Sequence, residues 1–97
     1  MIIEAAILPV KAGEESAFEA ALHHALPLIQ ASKGFRNIEV RPCLEQKGRY
    51  LLLVWWDTVD DHTVGFRNSE RYQKWREALH HFYDGTVIVL HYGEPVG

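Results

Sequence analysis

The apolar run IIEAAILPV (2–10) stops before KAGEE and predicts a first strand. Gly13 leads into Glu14 and Glu15, which suit the positive end of a helix's first turn. Phe18, Ala21, Leu22, Ala25 and Ile29 then recur at helical spacing and draw one apolar stripe. Pro27 falls late in that helix and is expected to bend it, and Gly34 stands where a C-cap glycine belongs. FRNIEVRPC (35–43) alternates apolar and polar residues, as a half-exposed strand does. After the turn EQKG (45–48), RYLLLVWWD (49–57) is apolar at both alternating sets of positions and completes a hairpin.

Thr58 and Asp61 form the T-x-x-D pattern of a capping box, opening a short helix through about Gly65. Asn68 or Ser69 caps a longer helix with the stripe Tyr72, Trp75, Leu79 and Phe82, while Gln73, Lys74, Glu77 and His81 take the opposite side. Asp84-Gly85 ends it, and TVIVLHY (86–92) predicts the last strand. No linker or low-complexity segment interrupts residues 1–97, which read as one domain with a loose tail at 93–97.

The order β-α-β-β-α-β predicts an α+β, ferredoxin-like fold with a four-stranded antiparallel sheet and helices on one face. Ile2 with Ile3, Leu51 with Leu52, Trp55 with Trp56, and Ile88 with Val89 make three strands apolar on both faces. Two helices cover only one face, and soluble monomers rarely expose a large apolar patch. A homodimer with its sheets face to face is therefore expected, with one of Trp55 and Trp56 facing the helices and the other the partner.

Composition narrows the function classes. With 47% hydrophobic and 24% charged residues the chain has the profile of a soluble globular domain. A net charge of −3 argues against a nucleic-acid binder or an anionic membrane surface as partner. The lone Cys43 permits no internal disulfide, and the first residues lack a basic segment before their apolar run, so a cytoplasmic location is the expectation.

The stretch from Trp55 to Trp75 is the densest in aromatic and titratable side chains. His62 and Phe66 share a helix face at i, i+4. His62 fits a general base or hydrogen-bond acceptor at a pocket mouth, while spacing alone favours a half-buried histidine capping nearby backbone. Trp75 sits mid-stripe, Tyr72 at its edge. Arg76, on the flank, either snorkels to solvent or turns inward to stabilise a developing anion. Arg67 reads as a surface charge. The doublets His23-His24 and His80-His81 point about 100° apart on a helix, and the chain lacks a metal-binding Cys/His cluster, so no metal is expected. No G-x-S-x-G elbow or glycine-rich phosphate loop is present, which leaves a covalent nucleophile and a nucleotide cofactor unsupported.

With these elements placed, LLVWWDTVDDHTVGFRNSERYQKWREALHHFYD resembles the antibiotic biosynthesis monooxygenase domain family of the dimeric α+β barrel superfamily. The Gly-Phe after the first helix, the E-x-R of the second strand, the tryptophan ending the third, the Asp-His of the short helix and the S-x-x-Y opening the next carry the likeness over nearly the whole chain. The resemblance implies a homodimer with one pocket per subunit and cofactor-free oxygenation of a small phenolic, quinol or polycyclic aromatic substrate. It implies His62 as base or proton acceptor, Tyr72 and Arg76 as donors to the anion, and Phe66, Trp75 and Trp56 as walls. One alternative is a non-enzymatic small-molecule-binding or stress-related barrel. A second is haem binding or degradation. The haem-degrading branch uses an asparagine in strand one, absent here, and a helix histidine, for which His80 is the one plausible counterpart.

Overall fold

The computed structural model describes all 97 residues. Strand β1 (Ile2–Pro9) leads into helix α1 (Glu15–Gln30), then strands β2 (Phe35–Pro42) and β3 (Arg49–Trp56). A short π-helix (Asp61–Phe66), helix α2 (Glu70–Leu79), a 3-10 turn (His80–Phe82) and strand β4 (Val89–Tyr92) complete the chain. The strands form one antiparallel sheet in the order β2-β3-β1-β4, the ferredoxin-like arrangement that the element order predicts.

Alternation along the strands sorts the side chains. Glu4, Ala6 and Leu8 of β1 and Tyr50, Leu52, Val54 and Trp56 of β3 turn toward the helices and are buried. Phe18, Ala25 and Ile29 of α1 and Trp75 and Leu79 of α2 meet them from the other side. Trp56 thus faces the helices and is fully buried, whereas Trp55 belongs to the other face of the sheet. That face is apolar and bare, with Leu90 53% and Ile88 70% exposed beside Ile7 and Tyr92.

Pro27 lies inside α1, whose last turn is closed by Ala31 N–H donating to Pro27 O at 3.2 Å. Gly34 has φ +78°, the left-handed conformation expected of a C-cap glycine. Strand β4 is shorter than the expected 86–92, because residues 86–88 run along the sheet without joining its ladder. Val87 turns inward there while Ile88 points to solvent. The tail 93–97 is exposed, and Glu94 Oε1 accepts from the Met1 amino group at 2.7 Å. No helix is long and apolar enough to cross a membrane.

Candidate functional site

Local chemistry in the β3–α2 connection aims two side chains inward. Thr58 Oγ1 accepts from the Asp61 N–H at 3.1 Å and starts the turn, the role its capping position predicts. The segment then winds wider than an α-helix: Arg67 N–H donates to His62 O, five residues back, at 3.0 Å. His62 and Phe66 both point into the core and are 3% and 2% exposed. Ser69 caps α2, accepting from Tyr72 N–H at 3.2 Å and donating to Phe66 O at 2.6 Å, which ties the two helices together. The close approach to Gly34 fixes the other end, since a Cβ there would sit 2.0 Å from Asp61 Oδ2.

His62 lies at the centre of a buried polar chain. Its ring stacks on Trp56, centroids 5.5 Å apart and planes inclined by 22°. Its Nδ1 is 2.9 Å from His91 Nε2, and its Nε2 is 3.4 Å from Glu4 Oε1. Trp56 Nε1–H donates to the same Glu4 oxygen at 2.9 Å. The register explains the cluster, because Glu4 pairs with His91 across β1 and β4 and so shares its face of the sheet. Burial pushes the Glu4 carboxyl above its usual range, opposed by the Trp56 hydrogen bond and the Arg67 charge. Burial, with the charges of Arg67 and His91 adding to it, holds His62 down at about 3. His91 is lowered in the same sense, by burial and then Arg67. At neutral pH the His62 imidazole is therefore neutral.

Beside this chain is a cavity of about 240 Å³ between sheet and helices. Of the residues singled out from sequence, His62, Phe66, Tyr72 and Trp75 line it together. Trp56 stands behind His62 and supports it by stacking without lining the cavity. Arg76 is exposed on α2 and is not part of the wall. Arg67 is exposed as expected of a surface charge, yet it lines the cavity and is the cation felt by Glu4, His62 and His91.

Phe66 meets Tyr72 and Trp75 edge-on, with centroids 5.5 and 6.1 Å apart. Tyr83, which sequence reasoning left out, and His80, considered there only as a haem-ligand counterpart, also line the cavity, their rings 5.5 Å apart. Burial raises the Tyr83 hydroxyl further above neutrality, so it remains a proton donor. The space joins an apolar aromatic wall to a carboxyl, a neutral imidazole, two phenol hydroxyls and an arginine. Such a set can hold a flat aromatic ring, receive a proton from its hydroxyl and offset the charge of the resulting anion.

Residues 1–78 match the sequence model of the antibiotic biosynthesis monooxygenase family. The chain is 45% identical over 92 residues to the YczJ protein of Bacillus subtilis, covering 95% of this chain and 97% of that protein. It is similar in structure to a candidate antibiotic biosynthesis monooxygenase of Bordetella bronchiseptica, with 34% identity, a TM-score of 0.93 and coverage of 98% and 97% of the two chains. SnoaB, a cofactor-independent oxygenase from Streptomyces nogalater, shares the fold at a TM-score of 0.81 with 12% identity, over 96% of this chain and 91% of that one. The chain belongs to the antibiotic biosynthesis monooxygenase family.

Proposed function

We propose that the protein is a cofactor-independent monooxygenase that inserts one atom of O2 into a small phenol or quinol and works as a homodimer. The observation that carries this reading is an aromatic cavity with a buried acid–base pair, Glu4 and His62, in its wall. SnoaB, which has the same fold, is a cofactor-independent oxygenase, and that supports the reading.

Cavity size argues for the substrate class. A hydrophobic cavity of roughly 150 Å³ takes one benzene ring. About 240 Å³ therefore suits one or two fused rings better than a larger polycycle or a haem macrocycle. The ring lies against Phe66 and Trp75, with Trp56 backing His62.

Loss of a hydroxyl proton makes such a ring electron-rich enough to pass an electron to O2, and recombination forms the new carbon–oxygen bond. The proton goes to the buried pair of Glu4 and His62 in the cavity wall. Tyr72 donates to the substrate anion, Tyr83 joins it, and Arg67 takes the cationic part that the family resemblance implies for Arg76. For 1,4-naphthohydroquinone the products are 2-hydroxy-1,4-naphthoquinone and water. One oxygen atom enters the ring, the other leaves as water, and all four electrons come from the quinol.

The outer sheet face supports the dimer. Ile7, Leu51, Ile88, Leu90 and Tyr92 line an open groove of about 550 Å³ there. A second copy of the sheet would cover it without any residue of the inner cavity. The single cysteine suits a cytoplasmic setting.

The test is oxygen uptake on anaerobic mixing of protein with 1,4-naphthohydroquinone, then air, beside the His62→Gln variant. Uptake above autoxidation, reduced about 100-fold or more in the variant, is the expected result. Stoichiometric binding of the quinol with uptake at the autoxidation rate would replace the enzyme by a binding protein.

A further inference from the structure

His62 has no ring nitrogen left for a substrate. Nδ1 is engaged by His91 at 2.9 Å, and Nε2 faces Glu4 at 3.4 Å. A base must turn a free lone pair toward the proton it removes. Glu4 offers one. Its side chain is 7% exposed, its Oε1 is held by Trp56, and its Oε2 makes no hydrogen bond. No fully buried side-chain oxygen in the protein lacks a partner, so Oε2 keeps some accessible surface, and Glu4 lines the cavity. At the far end of the chain, His91 is half-exposed on β4, the edge strand of the sheet.

We propose that Glu4 takes the substrate's acidic proton first, at Oε2, and that His62 and His91 pass a proton on to solvent at the sheet edge. The proposal rests on the phenol or quinol reading and adds a first acceptor and an exit to it. The substrate O–H bond breaks and its proton joins Glu4 Oε2, leaving the electron pair on the substrate oxygen. Rotation of the carboxyl about Cγ–Cδ brings the proton to Nε2 of His62. As Nε2 gains it, Nδ1 gives its own proton to Nε2 of His91, whose Nδ1 proton leaves to water. One proton crosses, no electron moves along the chain, and the buried His62 ring never carries a full charge.

The groups around Glu4 favour this direction. Trp56 from β3 donates to it, Arg67 from the turn after the π-helix acts on it at longer range, and His62 and His91 complete its surroundings. Burial makes Glu4 a better proton acceptor than a surface carboxylate, and keeps His62 from trapping the proton. Glu4 and His62 line the cavity, whereas His91 acts through His62 and is a positioning and relay residue.

The test uses 4-nitrophenol, one ring with a coloured anion, titrated with the whole protein and with Glu4→Gln. A proton taken by Glu4 leaves the bound phenol as its coloured anion, so at a fixed pH near 7 the bound phenolate fraction is expected to fall about tenfold in Glu4→Gln, which has no basic oxygen and leaves the buried phenol protonated. Equal fractions in the two proteins would overturn the role of Glu4. Failure of the native protein to bind 4-nitrophenol would overturn the phenol reading itself, a separate outcome.

For the exit, His91→Ala is expected to lower kcat for 1,4-naphthohydroquinone about tenfold with KM unchanged, and added imidazole to restore it. An undiminished kcat, or a loss that imidazole does not restore, would overturn the relay. Native protein that binds the phenol but consumes no oxygen would overturn the monooxygenase reading, while the titration still decides Glu4.

Discussion

His62 lies nearly parallel to Trp56, ring centroids 5.5 Å apart, and the same Trp56 holds Glu4 by its indole N–H at 2.9 Å. One side chain thus supports both members of the acid–base pair. The arrangement keeps His62 neutral inside the protein, and that has a consequence for stability. Unfolded His62 takes up a proton near its ordinary 6.5, whereas the folded ring resists it down to about 3. Its folded pKa is lowered, so native protein loses stability as pH falls below 6.5. The loss attributable to this group is roughly 2 kcal/mol by pH 5. Urea unfolding at pH 7 and pH 5 checks this: His62→Gln should show a smaller drop than the native protein, and an equal drop would contradict a buried neutral imidazole.

Glu4 carries the opposite sign. Its folded pKa is raised, so the folded state prefers the proton and its contribution declines as pH rises above the ordinary carboxylate value of 4.5. A neutral replacement of similar shape that still accepts from Trp56 should stabilise the protein at pH 7.5, by about 1 kcal/mol, or roughly 4–8 °C in Tm for a domain of this size. The gain should shrink toward pH 4. Thermal melts of Glu4→Gln with no gain at pH 7.5 would mean that the carboxylate is better compensated than its surroundings indicate.

Gly34 controls the site from outside it. Its φ of +78° disfavours any residue with a Cβ, and an added Cβ would meet Asp61 Oδ2 at 2.0 Å and Asp61 Cβ at 2.8 Å. Rotating the Asp61 side chain relieves the first contact and not the second. Gly34→Ala is expected to cost at least about 2 kcal/mol in unfolding free energy, from backbone strain plus displacement of the short helix. Because His62 follows Asp61 directly, its ring resonances should shift in the variant. Native-like stability and unchanged His62 resonances would argue against this coupling.

The bare sheet face predicts an assembly. Leu90 and Ile7 lie on it, 53% and 38% exposed, away from the cavity. Leu90→Lys would place a charge in a face-to-face sheet packing. Sedimentation equilibrium should give a dimer for the native chain and a monomer for Leu90→Lys, with far-UV circular dichroism unchanged. A native monomer at micromolar concentration would contradict the dimer.

Much of this architecture was legible from residue patterns, for local reasons. Ser69, Thr58 and Gly34 are set by turn and cap chemistry within a few residues, and the stripe through Trp75 and Leu79 by helical period. Phe66, Tyr72 and Trp75 meet in one cavity because they lie on adjoining turns. What escaped depends on distant pairing. By local pattern Glu4 is no more than a break in an apolar run, although its alternation with Ala6 and Leu8 marks it as inward-facing. His91 sits among the residues of the last strand with nothing local to distinguish it. Its place opposite Glu4 follows from the β1–β4 register. The wide turn at His62 needs a hydrogen bond five residues apart, which capping patterns do not encode. Arg76 and Arg67 are nine residues apart, and the bend between the two helices decides which of them reaches the cavity.

The most direct measurement of the central claim is the fate of oxygen label. Native protein, reduced 1,4-naphthohydroquinone and 18O2 should yield 2-hydroxy-1,4-naphthoquinone carrying one 18O atom and little hydrogen peroxide, with label incorporation lost in His62→Gln. Unlabelled 1,4-naphthoquinone with one peroxide per quinol, at the same rate with and without protein, would contradict a monooxygenase acting at this cavity.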